Sequence, residues 1–102
     1  MAAYHTKFKP LEWAFDKLAA NGQRTSYVKV LVNKADSNRV VGFHICAPNA
    51  GEITQGVSIG FKMGMTKEQL DSVVGIHPTA AEDALGLHQT KADNPDADKT
   101  GC

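Results

Sequence analysis

His77 and Glu82 stand five positions apart near the end of the chain. An imidazole held by a carboxylate is a standard arrangement for moving a proton near neutral pH. The same residues carry a second reading: Glu82 lies three places after Thr79, the spacing of a capping box, and His77 precedes a helix-opening proline. From spacing alone that second arrangement is the commoner one. Cys102 follows Gly101 at the end of a polar stretch, where a thiol is exposed and able to reach a distant partner. The 12 residue steps from Thr90 to Cys102 would span roughly 40 Å if fully extended. Taken alone, a terminal cysteine is as often incidental as redox-active. Cys46 sits in an apolar run and reads as a small core hydrophobe. His5, His44 and His88 have no zinc-site spacing, so each reads as a surface or satisfied histidine and no metal is expected. Tyr4, Phe8 and Trp13 could form an aromatic binding surface, though strand aromatics more often pack in a core or interface.

These residues need elements to position them. Tyr4 to Trp13 reads as a first extended segment, with Pro10 marking an edge or a kink. Asp16 to Ala20 suits a short helical turn before Asn21-Gly22. Tyr27 to Asn33 alternates between Val28, Val30, Val32 and the other set, the period of a half-buried strand. Ala35 to Asn38 supplies turn formers, and Arg39 to Cys46 completes a hairpin. Asn49 with Glu52 predicts the capped start of a helix from about Ala50 to Met63. Along it Ile53, Val57 and Phe61 form an apolar stripe, while Gly56, Gly60 and Gly64 form a stripe without side chains that predicts close approach by another element. Thr66 and Gln69 predict a capping box opening a second helix to about Val73, with Leu70, Val73 and Val74 inward. Gly75 ends it. Thr79 and Glu82 predict a third helix through about Leu87. From Thr90 onward the chain is polar and without apolar periodicity, and is expected to be mobile. The fold class is α+β: a small antiparallel sheet with helices packed on one face.

Size and charge set limits. The 102 residues suffice for one modest core. With 11 basic and 11 acidic residues there is no electrostatic footprint for nucleic acid or an anionic membrane, and no apolar run is long enough to span a bilayer. Neither a nucleic-acid nor a membrane partner is expected. The two cysteines fit neither a disulfide scaffold nor a CxxC metal site.

Three stretches together resemble the dimerisation domain of flavin-dependent disulfide reductases: Val40-Val41-Gly42-Phe43-His44, Pro48-Asn49-Ala50-Gly51-Glu52-Ile53-Thr54-Gln55-Gly56 and Gly75-Ile76-His77-Pro78-Thr79. Pro10-Leu11-Glu12-Trp13 and the Pro48 to Glu52 turn resemble thioredoxin reductase and thioredoxin glutathione reductase more than glutathione reductase. The resemblance covers nearly the whole chain. It implies an interface domain over residues 1–89 and a flexible redox arm over 90–102, with FAD- and NADPH-binding domains upstream. It implies a homodimeric parent enzyme that uses NADPH and FAD to reduce thioredoxin or another protein disulfide.

In such enzymes the histidine of the His-Pro motif, here His77, reaches the flavin-side dithiol of the other subunit and shuttles protons. A glutamate, here Glu82, holds it. Gly101-Cys102 resembles the start of a C-terminal redox tetrapeptide, whose next residue is selenocysteine or cysteine. The chain has no Gly-rich dinucleotide fingerprint and no CxxxxC disulfide, so on its own it is expected to bind neither FAD nor NADPH and to be inactive. Asp83, Gly86 and His88, and the acidic stretch Asp93 to Lys99, depart from the family's usual pattern and bear on how the arm docks. Two other readings stand beside this one: a free-standing dimerisation module without catalysis, and the interface domain of a glutathione- or trypanothione-type reductase, against which the arm ending in Cys102 argues. The expected compartment is the cytoplasm, with a mitochondrial form as the alternative.

Overall fold

The computed structural model describes residues 1–10, 13, 15–20 and 25–98. Three strands, β1 (Ala2–Phe8), β2 (Ser26–Asn33) and β3 (Arg39–Cys46), form an antiparallel sheet in the order β1-β2-β3. A short helix α1 (Lys17–Ala20) lies between the first two, and α2 (Ala50–Lys62), α3 (Lys67–Asp71) and a 3-10 turn (Ala81–Ala84) follow the sheet.

The alternation in β2 decides which way the sheet faces. Val28, Val30 and Val32 are fully buried, and each such side chain contributes about 1.5–3 kcal/mol relative to exposure. Their ladder partners Thr6, Tyr4 and Ala2 on β1 and Ile45, Phe43 and Val40 on β3 share this face. Leu70, Ala80, Ala84 and Leu87 cover it from the helical side. The register slips between Leu31 and Val32. There Gly42 is required, because a Cβ on it would stand 2.9 Å from Leu31 Cδ1.

The hairpin turn places Ser37 and Asn38 at φ of 52° and 57°, which short polar residues tolerate. Asn38 Nδ2 then donates to Glu68 Oε1 at 2.9 Å, tying the turn to α3. Both outer edges of the sheet gain backbone partners, β3 only at its start. Val40 N–H donates to Met65 O and Lys67 N–H to Asn38 O along β3, while residues 89–98 run along β1.

The segment from Thr90, expected to be mobile, is thus paired with β1 as far as Asp98. His5 N–H donates to Gln89 O, Lys91 N–H to Ala3 O and Lys7 N–H to Ala97 O, and Ala97 is buried. Backbone pairing, which needs no apolar periodicity, holds this polar segment.

Other expectations are corrected. β1 stops at Phe8, because Pro10 has no N–H for a ladder, and Trp13 N–H instead bonds to Pro10 O. Asn49 takes the left-handed conformation at φ 61° and makes no side-chain capping bond, so α2 starts on backbone bonds from Ala50 and Ile53 to Ala47 and Asn49. The third helix reduces to the Ala81–Ala84 turn: Gly86, at φ 67°, sends the chain onward while Leu87 is drawn into the core. Cys46 is exposed, since its partner Tyr27 lies on the sheet face opposite the core.

The glycines at 56, 60 and 64 do not share the one close neighbour expected of a stripe. Gly60 is approached by the Met65 side chain, Gly64 needs its φ of 73°, and Gly56 faces open space. The Thr66–Gln69 capping box forms as expected, with α3 ending at Asp71.

Lys67 locks α3 to the segment beyond the 3-10 turn. Its buried ammonium donates to Asp71 Oδ2 at 2.5 Å and to Leu87 O at 2.6 Å, and stands 4.6 Å from the centre of the Tyr4 ring. Asp71 Oδ1 in turn accepts from Gly86 N–H. Replacing Lys67 by Met leaves the Leu87 carbonyl without this donor, which costs about 1–3 kcal/mol for a buried group. Urea unfolding followed by circular dichroism is expected to show that loss; an unchanged midpoint would contradict it.

Candidate functional site

The loop from Gly75 to Glu82 brings the two predicted acid–base residues together. His77 Nδ1 lies 2.6 Å from Glu82 Oε1, a short charge-assisted contact. A carboxylate only accepts, so Nδ1 carries the hydrogen and donates. Nε2 is thereby left as the ring atom for a reacting partner. The His77 side chain is 57% exposed, whereas that of Glu82 is 24% exposed.

Both readings of this spacing are present at once. Thr79 Oγ1 accepts from Glu82 N–H at 3.4 Å, and Glu82 Oε1 accepts from Thr79 N–H at 3.5 Å. These capping contacts are long, and the histidine contact is the short one. The same Oε1 atom serves both, so the cap helps to aim the carboxylate at the ring. Thr79 Oγ1 also donates to Ile76 O at 2.7 Å, closing the loop around His77 and Pro78.

Gly75 was legible only as a helix stop, yet it is part of this site. A Cβ there would stand 2.7 Å from Glu82 Cβ and 3.4 Å from Glu82 Oε2. The absence of a side chain lets Glu82 pack against the loop. A glycine two residues before the His-Pro pair was the available signal.

An open apolar groove of about 670 Å³ adjoins the pair, with Thr79 and Glu82 in its lining. α2 contributes Ile53, Val57 and Ile59 to it, and the loop contributes Val74, Ile76 and Leu85. Val74 is 90% and Ile76 75% exposed. The inward placement expected of Val73 and Val74 is thus corrected, because Leu70 alone fills the core from α3. Contiguous exposed aliphatic surface of this kind marks an interaction face.

The other candidates lie apart. Cys102 is outside the described residues. His44 and His88 are exposed, and His5 is buried with both ring nitrogens bonded. Among the described residues no three His, Cys, Asp or Glu side chains gather as a metal site, and no helix is long and apolar enough to cross a membrane.

A three-stranded meander with its helices on one face, carrying a His–Glu pair beside an unfilled aliphatic groove, defines a domain built to be completed by another surface. Residues 1–87 match the family described as pyridine nucleotide-disulphide oxidoreductase, dimerisation domain, and the chain belongs to that family. Thioredoxin reductase SEP1 of Emiliania huxleyi is 46% identical over 99 residues, which cover 97% of this chain and 19% of that protein. The chain therefore spans about a fifth of the length of this relative.

The close approach of Gly75 to Glu82 generates a direct test. Imidazole ¹⁵N NMR is expected to report a protonated Nδ1 on His77, and Gly75→Ala, which pushes Glu82 away, is expected to give a mixture of tautomers. A dominant Nε2–H tautomer in the unaltered protein would contradict the pairing.

Proposed function

We propose that this domain is the interface part of a homodimeric thioredoxin-disulfide reductase and supplies His77 to the reaction centre of the partner subunit. The observation that carries the reading is the His77–Glu82 pair at the rim of the exposed aliphatic groove. A second subunit seated on that groove would cover Val74 and Ile76 and enclose the imidazole. The family match and the relative's name support the reaction class.

The 102 residues contain neither a glycine-rich dinucleotide turn nor a CxxxxC pair, so FAD, NADPH and the flavin-side disulfide belong to other parts of the parent protein. Bound in those parts, NADPH and FAD would supply the electron pair that opens that disulfide. The contribution of this domain is protonic. With Nδ1 held by Glu82, Nε2 takes a proton from the attacking thiol and gives it to the thiolate released in thiol–disulfide exchange. Glu82 stabilises the imidazolium between the two events. Cys102 then receives the electrons in a terminal relay and passes them to thioredoxin or another protein disulfide, together with the following selenocysteine or cysteine.

Positioned acid–base groups contribute about 10²–10⁴-fold. In the full-length parent, His77→Ala is expected to lower NADPH-dependent thioredoxin reduction within that range while the flavin content, read from its visible absorbance, stays the same. Unchanged turnover would contradict the protonic role.

A further inference from the structure

We infer that the outer edge of β1 is an anchor for the C-terminal segment, with His5 as its positioning residue, and that this anchor sets the reach of the redox arm. The assignment of the arm rests on the proposed function; the anchor itself does not.

β1 offers its edge in a strict alternation. Ala3, His5 and Lys7 turn their backbone groups away from β2, and all three are used: Lys91 N–H donates to Ala3 O, and His5 and Lys7 donate to Gln89 and Ala97. The segment crosses the edge twice. It runs antiparallel at Thr90 opposite Tyr4, turns, and returns parallel at Asp98 opposite Lys7. The turn is held internally by Asn94 N–H to Thr90 O, Asp93 N–H to Thr90 Oγ1 and Asn94 Nδ2 to Gln89 Oε1.

His5 occupies the space beneath that turn. It is 1% exposed although it lies on the sheet face away from the valine core. Nε2 donates to the Asn94 carbonyl at 2.7 Å, and Nδ1 accepts from the Tyr27 hydroxyl at 3.1 Å. A single tautomer satisfies both contacts. Ala97, buried at the second crossing, closes the other end. A polar segment with one buried alanine gains little from hydrophobic burial, so its attachment is polar: the edge bonds and the His5 contact, with the exposed Lys7–Asp96 pair at 3.9 Å and the Lys91 ammonium 5.6 Å from the Tyr27 ring centre as lesser contacts.

The consequence concerns length. Measured from Thr90 the arm would have 12 residue steps to Cys102, but from the last anchored residue, Asp98, it has four. Four steps reach at most about 14 Å. Effective concentration falls roughly as the −3/2 power of tether length once the span is covered. Freeing the segment from Asp98 back to Thr90 therefore lowers the local concentration of the Cys102 thiol about fivefold.

The test uses the full-length parent and two readouts. Hydrogen exchange is expected to show protected amides at His5, Lys7 and Lys91. His5→Phe, which fills the space without polar contacts, is expected to lose that protection while the β2 amides keep theirs. His5→Gln, which can still donate to Asn94 O, is expected to restore it in part. Thioredoxin turnover is expected to fall about fivefold in His5→Phe and to recover in His5→Gln, with NADPH-driven flavin reduction unchanged in both. Ala97→Asp, acting at the far crossing, gives the same pattern should His5→Phe fold poorly. Unprotected amides in the unaltered protein, or protection that survives both His5→Phe and Ala97→Asp, would overturn the anchor. Lost protection with undiminished thioredoxin turnover would overturn its control of reach. A parent that reduces no thioredoxin but shows the protection pattern would sink the functional reading and leave the anchor standing.

Discussion

The fully buried row Val28, Val30 and Val32 on the central strand is the constraint on which the rest depends. β2 pairs on both sides, so its register fixes β1 and β3, and a slip of one residue would turn the valines outward. Leu70, Ala80, Ala84 and Leu87 dock on the same core, from α3 before the Gly75–Glu82 loop to the segment after it. The loop between these attachments can then be shaped by polar contacts: the Thr79 hydroxyl, the Lys67–Asp71 clamp and the His77–Glu82 pair.

What this core does not cover is as informative as what it does. α2 has no fully buried residue, and its aliphatic side chains share an open groove with Val74 and Ile76. A fold that buries its sheet with short helical pieces while leaving an aliphatic face in water has its remaining stabilisation available for association. His77 lies beside that face through its contact with Glu82, so in the proposed function association and chemistry are linked by position.

Much of this was legible from residue order. Period-two alternation located β2, the turn formers at 35–38 with the apolar run after them located β3, and the Thr66–Gln69 box located the start of α3, because all three signals are local. The His77–Glu82 pair was legible as two alternatives, and three-dimensional geometry shows one carboxylate oxygen serving both. Positions decided by distant neighbours were not legible. Gly75 is needed because of Glu82 seven residues later, Val74 faces outward because Leu70 fills the available core, and the third helix is cut short by Gly86. The chain from Thr90 was read as mobile because pairing through backbone bonds to β1 leaves no side-chain pattern, and His5 was legible only as a surface or satisfied histidine.

The central claim, that the domain completes a reaction centre across a subunit boundary, is tested most directly by mixing two inactive forms of the parent. One form carries His77→Ala; the other keeps His77 and has serines in place of the flavin-side cysteines. Mixed dimers place an intact His77 opposite an intact flavin-side disulfide only if the histidine acts on the other subunit. Return of thioredoxin reduction after subunits are exchanged is the predicted result. Persistent inactivity in mixtures shown to contain mixed dimers would contradict the account.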